Sequence, residues 1–185
     1  MPTSFRVEIC RTTPQRVEDC LAGWRAIGTY EAPRSEGNGE DADDVRFEWA
    51  YPPDYCVVVW SGEDPVGFTG VFERDGSIEG RPTRLGGLGG LATHPAWRHR
   101  GIATAAIRAA VRELSRPSGP DVALFFAHEA HVPWFEHLGW TKATEPPLFR
   151  QPPDICVVAE APTLVLPLRG GPAPRGRIDL CGLPW

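Results

Sequence analysis

The chain lacks an apolar run of membrane-spanning length. Stretches such as residues 55–60 stop far short of the roughly 20 consecutive apolar residues a transmembrane helix needs. The opening Met1-Pro2-Thr3-Ser4-Phe5-Arg6 also lacks the apolar segment of a signal peptide, so a cytoplasmic protein with no membrane partner is expected. Cysteine is sparse and scattered: the five residues at positions 10, 20, 56, 156 and 181 are odd in number and include no Cys-x-x-Cys pair. That pattern argues against a disulfide framework and leaves buried, reduced thiols as the expectation. His128-Glu129-Ala130-His131 lacks the His-Glu-x-x-His spacing that puts two imidazoles on one helical face, so no metal is expected. An excess of basic charge is missing too. A formal net charge of -5 opposes a phosphate backbone, and nucleic-acid binding is set aside. There is no internal repeat.

What remains is 185 residues with a 42% hydrophobic fraction, enough for one domain over residues 1–185 with a substantial core. A Gly/Pro-rich stretch then opens a C-terminal tail, residues 170–185. Charge is unevenly spread. Between Glu31 and Asp54 eight acidic residues face two arginines, whereas from Trp97 to Arg116 five arginines face only Glu113. One end of the molecule should attract a cation and another an anion.

The most informative run is Leu91-Ala92-Thr93-His94-Pro95-Ala96-Trp97-Arg98-His99-Arg100-Gly101-Ile102-Ala103, where an apolar strand turns through a proline into a basic helix entrance. Ala103, Ala106, Ile107, Ala110, Val111 and Leu114 recur at helical spacing, with Arg108 and Arg112 on the wetter face. Ser115-Arg116-Pro117-Ser118-Gly119-Pro120 ends that helix. Small residues at Gly101 and Ala103 permit close backbone approach. The first turn of a helix also has amide hydrogens without intrahelical partners, and its positive dipole end favours an anion. This is a place to hold a pyrophosphate.

Around this unit the pattern alternates strands and helices. Phe5 to Ile9 alternates as a strand, and residues 14–27 carry a helical pattern through Val17, Leu21, Trp24 and Ile27. Residues 55–60 and 66–73 make a hairpin, Arg74-Asp75-Gly76-Ser77 the next turn, and residues 84–93 a glycine-rich strand. Gly86-Gly87-Leu88-Gly89-Gly90 lacks the G-x-G-x-x-G spacing and reads as a bulged strand approached closely by backbone or ligand. A strand over residues 122–127 follows, and residues 155–159 with 163–168 form an expected closing hairpin. The fold class is α/β, with a mixed, mostly antiparallel sheet flanked by helices.

Arg98-His99-Arg100-Gly101-Ile102-Ala103 resembles the acetyl-CoA signature of the GCN5-related N-acetyltransferase (GNAT) superfamily: Arg or Gln, two residues, Gly, one residue, then Gly or Ala. Trp134-Phe135-Glu136-His137-Leu138-Gly139-Trp140 is similar to that family's second motif, with Phe135 where tyrosine is usual. The resemblance implies an acyl-CoA N-acyltransferase fold and acetyl-CoA as co-substrate, with no metal. It implies that Leu91, Ala92 and Thr93 align the pantetheine arm and the thioester. Amides of His99, Arg100, Gly101, Ile102, Ala103 and Thr104 would take the pyrophosphate, with charge from Arg98 and Arg100, and Phe135 would lie beside the cofactor.

Transfer to an amine also needs a proton for the departing thiolate, and Phe135 has none to give. His128, Glu129 and His131 follow the second core strand and are the candidate catalytic residues; a structural histidine or a water donor stays open. The closing strand, the Gly/Pro-rich connection and the ending Pro184-Trp185 resemble in layout the aminoglycoside 2'-N-acetyltransferases, which carry a glutamate base at the position of Gly89. Asp179 and the Trp185 carboxylate are therefore candidate acceptor ligands, with Glu40, Asp41, Asp43 and Asp44 acting at longer range. Alternatively, the tail simply packs as a plug. The function these residues imply is acetyl-CoA-dependent N-acetylation of a primary amine on a small cationic, aminoglycoside-like acceptor. A protein, peptide or longer-chain N-acyltransferase and a non-catalytic acyl-CoA-binding module remain alternatives, and a homodimer is left open.

Overall fold

Eight strands form a continuous path across one sheet, and its order follows from which runs can be buried on both faces. The computed structural model describes residues 4–11, 53–151, 154–157 and 161–185. Strand β2 (Tyr55–Ser61) is an apolar run with three consecutive valines, suited to a sheet interior, and its first five residues are buried. It pairs antiparallel with β1 (Arg6–Arg11) on one side and β3 (Asp64–Ile78) on the other. β3 pairs with β4 (Arg81–Thr93), and β4 pairs in parallel with β5 (Val122–Phe126). β6 (Thr141–Lys142), β7 (Leu148–Gln151), β8 (Asp154–Val157), β9 (Thr163–Pro167) and β10 (Ile178–Asp179) complete ten strands among the described residues, with the path β6-β9-β5-β4-β3-β10-β7-β8. Among the described residues only β4–β5 and β7–β10 are parallel pairs, so the sheet is mixed and mostly antiparallel.

Helix α1 (Ile102–Leu114) makes the crossover from β4 to β5. Its Ile102, Ala106, Ile107, Ala110 and Leu114 are buried against Tyr55, Val57, Val59, Val71 and Leu88. The helix stops where the Ser115 hydroxyl donates to the Val111 carbonyl at 2.7 Å. Arg116 just beyond is tied to the sheet, its Nη2 reaching the carboxylate of the largely buried Glu73 at 2.7 Å. Short helix α2 (Val132–His137) adds Val132 and Phe135 to the same core. A second cluster on the other face holds Phe72, Leu85, Leu124, Val165, Ile178, Leu180 and Trp185.

Two expectations are corrected. Arg74-Asp75-Gly76-Ser77 is strand rather than turn, paired with Leu85, Arg84, Thr83 and Pro82. Gly76 is used there for space: a Cβ would lie 2.4 Å from Leu85 Cδ1 and 2.7 Å from the Asp179 carbonyl oxygen. The hairpin closes instead at Glu79 and Gly80, both at positive φ (51° and 72°), the backbone a two-residue turn between twisted strands requires. Nor do residues 155–157, the described part of the expected 155–159 strand, pair with 163–168. β8 pairs with β7, while β9, whose Leu164 and Val165 are fully buried, fills the space between β5 and β6. The helix expected at residues 14–27 and the acidic Glu40, Asp41, Asp43 and Asp44 lie outside the described residues. Among the described residues, no helix is long and apolar enough to cross a membrane.

Candidate functional site

β4 and β5 part company midway. Their pairing runs from Leu85↔Val122 to Leu88↔Phe125 and stops there, while β4 continues to Thr93 alongside β3 alone. The cause is a bulge. Gly70 faces Gly89 and Phe68 faces Ala92, so two steps of β3 oppose three of β4, and Gly90 takes up the extra residue at φ 62°. Such a bulge bends the strand carrying the extra residue. From Gly89 to Thr93 the β5-facing edge of β4 is released from sheet pairing, leaving backbone groups that an extended ligand can engage.

Beyond Thr93 the chain makes a short 3-10 turn, Pro95–Trp97, capped by His94, whose Nδ1 accepts from the Ala96 amide at 3.2 Å. Arg98, His99 and Arg100 then lie exposed on the approach to α1, with the Arg100 guanidinium 5.2 Å over the Trp97 ring. His99 and Gly101 both have positive φ, 61° and 80°. A Cβ at Gly101 would meet nothing within 4 Å, so glycine is required there by backbone conformation, and it also leaves the helix entrance clear. Among the described residues no side chain caps the first turn of α1, so the amides of Ile102, Ala103 and Thr104 keep their capacity for an anion. Ile102 anchors this entrance: its Cγ2 fills the place a Gly67 side chain would occupy, 2.3 Å from that Cβ.

The helix-side face of the fork is closed by aromatic packing. Phe135 is buried and stacks on Phe125, the last β5 residue paired with β4, with ring centroids 4.5 Å apart, and Trp140 meets it edge-on at 5.7 Å. His128 follows β5 and caps a second 3-10 turn, Glu129–His131, as His94 does after β4: its Nδ1 accepts from the Ala130 amide at 3.2 Å. That hydrogen bond requires Nδ1 unprotonated, so the neutral ring carries its proton at Nε2. His131 lies beside it, ring centroids 6.2 Å apart, and both are exposed. Glu129 is committed elsewhere, its carboxylate accepting from Lys142 Nζ at 3.1 and 3.3 Å.

The opposite face is covered by the tail. The Trp185 indole lies on Gly87, where a Cβ would fall 1.9 Å from Cε2, and stacks with Phe72 at 6.1 Å and tilts against Phe126 at 6.1 Å. The main-chain carbonyl carbon and oxygen of Trp185 come to 3.5 and 3.6 Å from a Cβ built on Gly89. With Arg74, whose guanidinium lies over the indole, Phe72, Phe126 and Gly87 form a socket that no short sequence motif announces; the Gly86-Gly87 pair in a strand was its one local signal. Burial pushes the Arg74 guanidinium down to about 10, partly offset by the nearby Cys181.

Asp179 is not brought to the fork. It pairs with Ser77 in β10, its carboxylate receives the Cys181 amide at 2.7 Å and faces Arg150 at 3.4 Å. Ser77 lies seven residue steps along β3 from Gly70, roughly 23 Å at about 3.3 Å per residue. Asp179 instead lines an open cleft of about 470 Å³ with Glu79, Glu145 and Arg177, at the hairpin end of the sheet. Among the described residues no three His, Cys, Asp or Glu side chains converge on a common point suited to a metal.

The family model described as "Acetyltransferase (GNAT) family" matches residues 24–140. No curated protein matches in a sequence search. Among solved structures, a GNAT family acetyltransferase from Brucella melitensis in complex with acetyl-CoA is similar over 94% of each chain, with TM-score 0.57 and 18% identity. Escherichia coli ElaA (TM-score 0.57, 11% identity) and an acyl-CoA N-acyltransferase from Pseudomonas aeruginosa (0.55, 11%) each align with 88% of this chain over 99% of their own.

Proposed function

As a member of the GNAT acetyltransferase family this chain is an acyltransferase, and we propose that it moves an acetyl group from acetyl-CoA to a primary amine of a small cationic acceptor. One observation carries the reading: the fork between β4 and β5 ends in the same loop that opens α1 at Gly101 without a side-chain cap. The fork offers unpaired strand backbone to an extended arm, and the helix entrance offers amides to a pyrophosphate. Main-chain groups of Leu91, Ala92 and Thr93 would hold the arm. Amides from His99 to Thr104 would hold the phosphates, with Arg98 and Arg100 adding charge at the same entrance.

Acetyl-CoA supplies the activated thioester. The amine nitrogen attacks its carbonyl carbon, the carbon–sulfur bond breaks, the sulfur takes up a proton and the nitrogen gives one up. Phe135 serves as a wall on the helix side and takes no part in proton movement. His128, with Nε2–H in its neutral form, and His131 beside it are the proton carriers in this reading, while Glu129 is held by Lys142. The acceptor would approach from the face carrying Trp185, since Phe125 and Phe135 fill the other. Asp179 and the acids Glu40, Asp41, Asp43 and Asp44 would attract a cation only at longer range.

The experiment is calorimetric titration with acetyl-CoA followed by thiol release against a panel of amines. Saturable binding with amine-dependent release supports the proposal, and the panel distinguishes small amines from peptides. Binding without release favours an acyl-CoA-binding module, a reading to which Phe135 and Gly89 lend support because neither offers a proton-handling group.

A further inference from the structure

Cys10 in β1 and Cys56 in β2 are register partners across an antiparallel pair. Residues directly opposed in this way point to the same face of the sheet, with Cα atoms about 4.5 or 5.5 Å apart depending on the hydrogen-bonding position. Both spacings fall inside the range of about 4.4–6.8 Å that a disulfide bridges. The two side chains are also buried together, in one small cluster with Val58 and Phe68. That cluster lies on the face turned away from α1, because the alternate residues Val57 and Val59 are the ones that pack with the helix.

We infer that Cys10 and Cys56 are a thiol-modification site that closes reversibly into a cross-strand disulfide, with a low-molecular-weight disulfide as the oxidant. The thiolate of one cysteine attacks the oxidant, breaks its sulfur–sulfur bond and releases one small thiol, leaving a mixed disulfide. The other cysteine's thiolate attacks the protein sulfur of that mixed disulfide, forms the Cys10–Cys56 bond and releases the second small thiol. The two cysteines together lose two electrons and two protons, which the oxidant gains. Access is through β1, a six-residue strand that pairs only with β2 among the described residues, so its opening costs one ladder rather than two. Cys181, exposed on the tail, is not in this cluster. The bond would close a loop over residues 11–55 and so restrict the unfolded chain.

The test uses the full chain with Cys20, Cys156 and Cys181 changed to serine (C20S/C156S/C181S), leaving the opposed pair alone. Incubation of the folded protein with glutathione disulfide should lower the intact mass by two hydrogen atoms. It should join the peptides carrying Cys10 and Cys56 in a non-reducing digest and raise the melting temperature, and dithiothreitol should reverse all three changes. If the triple variant does not fold, peptide mapping of the unmodified chain after the same treatment shows whether the two peptides are joined. Recovery of Cys10 and Cys56 as thiols, or as two separate glutathione adducts, from folded and treated protein overturns the inference.

Discussion

Arg74 clasps Trp185 from 111 positions away: its guanidinium lies 4.6 Å over the indole, and its Nη1 donates to the Leu183 carbonyl at 2.6 Å. A buried cation–π contact contributes up to about 2 kcal/mol, and a hydrogen bond from a charged group about 1.5–3 kcal/mol. With part of both offset by the cost of burying the guanidinium, Arg74→Ala is expected to destabilise the protein by about 2 kcal/mol. Urea unfolding should show a lower midpoint at unchanged slope, and Arg74→Lys should restore little because lysine lacks the planar fork. An unaltered midpoint in Arg74→Ala would mean the clasp contributes nothing net.

Gly87 is the floor of the same socket. Gly87→Ala places a methyl where Trp185 Cε2 sits 1.9 Å away, so the ring must leave or the strand must shift. Overpacking of this kind costs about 1–3 kcal/mol. In a Trp185→Ala background the three atoms nearest to that methyl, all of the indole, are gone, and the cost should fall sharply. A double-mutant cycle measures the coupling, and additive effects would show that the indole does not rest on Gly87 in solution.

At the helix entrance, Gly101→Glu forces a side chain onto a backbone at φ 80° and puts negative charge beside uncapped amides. Acetyl-CoA affinity is expected to fall at least about tenfold, or roughly 1.4 kcal/mol. Calorimetry on the folded variant reads this directly. Equal affinity would move the pyrophosphate away from α1.

His128→Ala and His131→Ala, made separately, distinguish the proton carriers. One of them is expected to lower turnover by about a hundredfold while CoA affinity holds. His128→Asn is a useful companion, because its side-chain oxygen can still cap the turn through the Ala130 amide without carrying a titrating proton. If both alanine variants keep full turnover and the same pH profile, the thiolate is protonated by water.

Elements whose cause lies within a turn or two of the chain were legible from the residues alone. The start of α1 at Ile102 and its end after Leu114 follow from helical periodicity and the Ser/Pro/Gly stop, and the β2–β3 hairpin from a valine run, Gly62 and a second apolar run. The basic, exposed loop from Arg98 to Gly101 leading into the start of α1 was legible for the same reason, since it is built from consecutive residues. Whatever depends on a partner remote in sequence was settled only by packing. Arg74 to Ser77 has turn composition yet is strand because β4 pairs along it, and β9 pairs with β5 and β6 rather than with β8, in a place where Leu164 and Val165 are fully buried. Asp179 is carried to the hairpin end while Trp185, six residues later, reaches the fork. Periodicity specifies which face of an element is apolar, but it cannot specify the distant face that covers it, because that choice rests on shape: the indole at 185 occupies the space that a side chain at position 87 would fill.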